Sequence, residues 1–257
     1  MIIDTHCHLD ASAFQDDVDS IILSSLNGGI SNIIVPAADI NDLPKAVALA
    51  EKYPFIYFSV GVHPYHIDEY CEKTLELYIQ HPKCVAVGEC GLDYYRLPED
   101  ESEKEENINL QKEVFISQIN LAKKYKKPLI IHIRDASNDS KAILLENNAG
   151  DVGGVLHCFN ADEQLLSLAK ENFYFGIGGV VTFKNAKKLV NVLPKIPRDK
   201  LVLETDAPYL TPEPFRGRRN EPLYTKYVAL KVAEILDMSV EDVEELTTMN
   251  AKKLFGI

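Results

Sequence analysis

Eight short apolar runs punctuate this chain, and each is followed by a longer segment of mixed polarity. The runs fall near 2–6, 31–36, 55–62, 84–89, 128–133, 152–157, 173–177 and 200–205. Several are almost continuously hydrophobic, as in "VAVG" at 85–88 and "LIIHI" at 129–133. A strand with one wet face alternates polar and apolar residues, whereas a parallel strand covered on both faces does not. The runs therefore predict a parallel sheet.

The intervening segments predict helices near 17–27, 42–53, 69–80, 104–126, 138–147, 162–171, 185–192 and 222–237, with a last one near 240–255. Within 104–126, Ile108, Phe115, Ile119 and Ala122 share one helical face. That segment ends in "KKYKKP", where lysines suit the negative end of the helix dipole and Pro128 opens the next strand. Asn160 with Glu163, and Ser239 with Asp242, read as N-caps with capping-box partners. Eight strand–helix alternations predict an α/β fold, a TIM (β/α)8 barrel, which typically takes about 250 residues. An open doubly wound sheet is the other arrangement that such alternation permits. No repeat, low-complexity linker or composition break interrupts the pattern, so one barrel domain over 1–257 is expected.

Composition narrows the class. The chain is 46% hydrophobic and 26% charged, ordinary values for a globular protein. No stretch reaches the roughly 18–20 apolar residues of a membrane span. The first strand begins without a basic flank or an apolar leader, so a cytoplasmic location is expected. No heptad or exposed apolar helix stands out, so a monomer is expected. The net charge of −12 argues against a protein that coats nucleic acid, which needs a basic surface. It leaves room for a metal enzyme acting on phosphate esters, because a bound cation reverses the field locally. The acidic run 98–107 reads as a solvated loop and a helix start. The five cysteines are odd in number and contain no C-x-x-C pair, which argues against a disulfide framework. Cys7, Cys90 and Cys158 adjoin candidate site residues, and strand alternation would turn their thiols outward as small buried hydrophobes.

The chemistry lies where the runs end. His6 and His8 close the first, His63 follows the third, His132 sits in the fifth and His157 ends the sixth. Glu89 and Asp206 sit at the ends of the fourth and eighth. Imidazoles and carboxylates gathered at one rim of a barrel make a metal site. The two-residue spacing of His6 and His8 puts both rings on one face. Six ligands exceed one open tetrahedral site and suit two ions bridged by a carboxylate, for which Glu89 is the candidate. The donor set suits zinc and also manganese, nickel or iron, and magnesium if carboxylate and water dominate. Asp206 is the candidate general base, and Glu204 and Asp4 are expected just beneath the ligands. His63 and His66, in the stiff loop "HPYH", are candidates for contacting substrate. So are Arg216 and Arg218, because guanidinium forks match phosphate. Other arginines of that loop are expected to pair with Asp93 or Glu221. Tyr94, Tyr95 and Tyr209 are placed to stack on bases or simply to pack.

The motifs "DTHCHLD" (4–10), "GVHPYH" (61–66), "GECGLDYY" (88–95), "IIHIRDA" (130–136), "HCF" (157–159), "ETDAPYLTP" (204–212) and "RGRRNEP" (216–222) stand in the order found in the TatD family. That family comprises metal-dependent deoxyribonucleases of the amidohydrolase superfamily, and the resemblance spans nearly the whole chain. It implies a TIM barrel with metal ligands at His6, His8, Glu89, His132, His157 and Asp206, and two divalent ions (Mg, Zn or Mn). It also implies DNA as substrate, as single strands or frayed ends, cleaved by a 3'-5' exonuclease through a metal-activated water. The same pocket would serve hydrolysis of an amide, a lactone or an aminoacyl-tRNA ester.

Overall fold

The computed structural model describes residues 1–257. All eight expected strands are present: β1 Ile2–Asp4, β2 Ile30–Val35, β3 Ile56–Val60, β4 Cys84–Asp93, β5 Leu129–Arg134, β6 Gly154–Leu156, β7 Phe173–Ile177 and β8 Leu201–Leu203. They pair in parallel in sequence order as one eight-stranded sheet. Backbone bonds then close it into a barrel. Thr5 N donates to the Leu203 carbonyl at 3.1 Å, Asp206 N to His6 at 2.8 Å and His8 N to Ala207 at 2.8 Å. The open doubly wound sheet is thereby excluded.

The helices are α1 Val18–Asn27, α2 Leu43–Lys52, α3 Glu72–Ile79, α4 Glu101–Tyr125, α5 Ser137–Glu146, α6 Lys187–Val192, α7 Thr225–Leu236 and α8 Val240–Phe255. The segment expected as a helix near 162–171 winds instead as a 3-10 segment, Glu163–Glu171. Its cap is not Asn160 but Asp162, whose carboxylate accepts from Gln164 N. Asn160 is committed elsewhere: it accepts from Asp162 N at 2.9 Å and donates to Ser137 Oγ at 3.1 Å. Ser239 does cap α8, accepting from Asp242 N at 3.0 Å. No helix is long and apolar enough to cross a membrane.

Two apolar layers position the rim. The larger lies between strands and helices, where Phe115, Ile119 and Ala122 of α4 are fully buried. Burying a side chain as large as Phe or Ile contributes about 1.5–3 kcal/mol. The smaller layer fills the barrel itself with Ile3, Ile34, Ala86, Ile130, Val155 and Val202, and Phe255 of α8 packs against it. Strand parity carries this inward direction forward. His132 lies two residues past Ile130, His157 two past Val155, and Glu204 two past Val202. The layers below are apolar because they fill the barrel, while the last layer, at the rim, is polar.

Candidate metal centre

Most site residues lie just beyond their strands. β1 stops at Asp4, so His6 and His8 stand on the connection that follows it. His157 follows β6, and Asp206 follows β8. Asp4 stitches this seam together: its carboxylate accepts from Thr205 N at 2.9 Å, Thr205 Oγ1 at 2.6 Å and His6 N at 3.3 Å. The loops bearing His6 and Asp206 are thus tied to one buried group.

Glu89 needs a break in its strand. Ala86 points into the barrel, so unbroken alternation would turn Glu89 outward. The β4–β5 register shifts between Val87 and Cys90, and this bulge re-aims the glutamate at the centre. Cys90 then packs into the outer core, as does Cys7. Cys158 does not follow them: it is half-buried and lines the cleft. Its backbone is left-handed, with φ 44°, so strand alternation no longer governs its side chain.

The two oxygens of Glu89 face two donor sets. Oε2 lies 3.3 Å from His6 Nε2 and 3.5 Å from His8 Nε2. These two nitrogens are 3.2 Å apart, and Asp206 Oδ1 lies 3.7 Å from the first and 3.6 Å from the second. A tetrahedral ion with bonds of 2.0–2.2 Å holds its ligand atoms about 3.3–3.6 Å apart, so this spacing fits one. Oε1 lies 3.0 Å from His132 Nδ1 and 2.9 Å from His157 Nε2, with 3.2 Å between those nitrogens. His63 Nε2 is 3.6 Å from the same oxygen. Buried nitrogens crowded together without a hydrogen atom for each contact are what a cation would relieve. His6 with His8 and Asp206, and His6 with Glu89 and His157, are each compact enough to hold an ion.

Electrostatics follow from burial and crowding. Burial holds His6 down to about 4 and His63 down to about 3. Burial also opposes charge on His8 and His157, but neighbouring carboxylates win. Asp206 and Glu89 raise His8 to about 9, and Glu89 raises His157 to about 10. Glu89 is held well below the usual carboxylate range despite its burial, by His157, His63 and His6. Asp206 is also lowered against its burial, chiefly by His8. Glu204, beneath the centre, is pushed up to about 7 by burial.

The centre opens into a cleft of about 820 Å³ whose lining carries both signs of charge. Arg96 and Arg134 are in its lining, and so are Asp10, Asp39 and Asp42, the last paired with Lys45 at 2.7 Å. Of the expected substrate contacts, His63 and His66 line this cleft. Arg216 and Arg218 are not in its lining; they are exposed, with guanidiniums over Phe183 at 3.8 Å and Phe215 at 5.9 Å. Arg219 pairs with Asp17 at 2.6 Å and Glu221 at 3.5 Å. Asp93, an expected arginine partner, instead receives His132 Nε2 at 2.9 Å. Tyr94 is a packing residue that donates to Asp139 at 2.8 Å, whereas Tyr95 and Tyr209 are exposed at the rim. Sequence reasoning passed over Arg134. The signal was present, since it lies two residues past His132 and so shares its parity.

A polar, ion-shaped centre at the carboxyl ends of a (β/α)8 barrel defines a metal-dependent hydrolase. The chain belongs to the TatD family: residues 3–256 match the family model described as "TatD related DNase". It is 44% identical to a Bacillus subtilis protein named "uncharacterized metal-dependent hydrolase YabD", over 100% of both chains. It is 32% identical to an Escherichia fergusonii protein named "3'-5' ssDNA/RNA exonuclease TatD", over 100% of this chain and 99% of that one. The crystal structure of the TatD homologue YjjV from Escherichia coli superposes with a TM-score of 0.89 at 30% identity, covering 100% of this chain and 98% of that one.

Proposed function

We propose that this protein is a phosphodiesterase that hydrolyses DNA, removing nucleotides from the 3' end of single strands or frayed ends, at a centre where His6, His8, Glu89, His132, His157 and Asp206 would hold two divalent ions. The observation that carries the reading is the division of the Glu89 carboxylate between two donor sets, His6, His8 and Asp206 on one side and His132 and His157 on the other. Divalent ions held there would polarise a phosphoryl group and lower the pKa of water at the site. Asp206 stays ionised at neutral pH, with its Oδ1 turned to the centre, so it can accept the proton of attacking water. Arg134 and Arg96 face the cleft and can neutralise phosphate oxygens. Arg216 and Arg218 would meet only a longer strand. The relative named as a 3'-5' ssDNA/RNA exonuclease supports this substrate class.

The acidic lining residues Asp10 and Asp39 favour a second reading, in which a substrate amine sits there and an aminoacyl ester is cleaved. One experiment separates the two. Metal-stripped protein is given magnesium, manganese or zinc and offered single-stranded DNA labelled at one end, beside aminoacyl ester and amide substrates. Metal-dependent loss of nucleotides from the 3' end supports the nuclease. Ester cleavage without DNA cleavage by loaded protein supports the alternative.

A further inference from the structure

Three cavities at the rim adjoin one another. The cleft over the centre shares Arg134 and Asn160 with a polar cavity of about 500 Å³ at the start of α5. That cavity shares Asn160 and Lys188 with a third, of about 280 Å³, beside β7 and α6. Cys158 and Val180 join the first and third directly. The cavities thus adjoin along a line from the metal centre past Arg134 and Asn160 to Lys188, and together they form a groove.

The groove's chemistry differs from that of the acidic lining. Arg134 stands where the groove leaves the centre, and its guanidinium lies 3.6 Å from the Tyr95 ring centroid. Stacking fixes the plane of the guanidinium while leaving its N–H edges free to donate. Lys188 supplies a second cation, and Asn138 offers a neutral amide, while Asn160 is held by Ser137 and Asp162 and the Gln164 amide by Asp162. Two carboxylates in the groove have partners. Asp139 is paired with Lys112 at 2.7 Å and Tyr94 Oη at 2.8 Å, and Asp162 accepts from Gln164 N at 3.2 Å and Nε2 at 2.8 Å. Asp135 remains as an exposed acid beside them. Asp42 is paired with Lys45 at 2.7 Å, which leaves Asp10 and Asp39 to repel a phosphate chain and Arg134 and Lys188 to attract it.

We propose that this groove holds the nucleotides of a single strand that adjoin the one being cleaved, with Lys188 contacting a backbone phosphate and Asn138 meeting a base or sugar edge. The proposal rests on the phosphodiesterase reading. It makes the enzyme length-dependent, with a strand that fills the groove turned over better than a dinucleotide.

The test compares Lys188→Glu with Lys187→Glu, an equal charge change on a neighbouring exposed lysine outside the groove lining. Binding of a fluorescent single-stranded octanucleotide is measured in the Asp206→Asn background. Turnover of octanucleotide, dinucleotide and bis(p-nitrophenyl) phosphate is measured in metal-loaded protein. Lys188→Glu is expected to weaken octanucleotide binding about fivefold or more and to flatten its salt dependence by about 0.7 in log–log slope. It should lower the ratio of kcat/KM on octanucleotide to that on bis(p-nitrophenyl) phosphate, and Lys187→Glu should not. Equal effects of the two variants, or wild-type rates independent of chain length, would overturn the groove. Lys188-dependent binding in loaded protein that cleaves no phosphodiester would support the groove and overturn the nuclease reading instead.

Discussion

Gln118 on α4 grips the backbone of Val62, the residue before His63. Val62 N donates to Gln118 Oε1 at 2.8 Å, and Gln118 Nε2 donates to the Val62 carbonyl at 3.0 Å. Two helical turns earlier, Gln111 holds Asp93 in the same way, at 2.9 and 3.0 Å. One face of α4 thus sets the height of two side chains at the centre. Gln118→Leu keeps the volume but strands a buried N–H and C=O, which costs about 2–4 kcal/mol. Urea unfolding of the metal-free protein should show that loss; a change under 1 kcal/mol, on the order of a surface substitution, would make the clamp incidental.

The His132–Asp93 contact fixes which ring nitrogen faces Glu89. Asp93→Asn should weaken metal binding by about 10–100-fold while leaving the fold in place. Competition with a chelating dye measures it. Wild-type affinity would show that the carboxylate does not orient the ring.

Asp206→Asn removes one charge from a centre with several other ligands. Turnover should fall to background while circular dichroism and the melting temperature stay close to wild type. Near-full activity in metal-loaded variant would remove Asp206 from proton transfer.

The placement of the arginines predicts unequal effects. Arg134→Ala should raise KM on DNA, with an effect on the order of tenfold for a lost charge-assisted phosphate contact. Arg218→Ala, exposed and outside the cleft lining, should change KM much less. The reverse order in steady-state kinetics would return the phosphate contact to the loop after β8.

Metal binding should release protons. Without metal, His8 and His157 titrate near 9 and 10, so both are charged at pH 8, and an imidazole must be neutral to bind an ion. Affinity should therefore rise with pH until about 9–10. The metal-free fold behaves oppositely. These raised imidazoles stabilise it fully below their ordinary value of 6.5, and that contribution is lost as pH rises through 9 and 10. Calorimetry in buffers of different ionisation enthalpy counts the protons, and none released at pH 8 would contradict the raised values.

The barrel was legible because its signal is local and repeated. Buried parallel strands read as continuous apolar runs, and parity carried His132, His157 and Glu204 to the rim. The His6-x-His8 spacing, Glu89 and Asp206 were legible for the same reason, since each stands at or just past the end of a run. The pairing of Arg219 with nearby Glu221 was legible, but partners distant in the chain were not, because they depend on which loops meet across the rim. Arg219 meets Asp17, and Asp93 meets His132, residues far apart along the chain. The inward turn of Glu89 depends on a register shift between β4 and β5, a property of the pair rather than of either strand. The sequence alone determined which residues stand at the ends of the strands, because apolar runs and their limits follow from backbone geometry within one element. Only closure of the barrel decided which of them touch, because their contacts come from separate strands brought to one end.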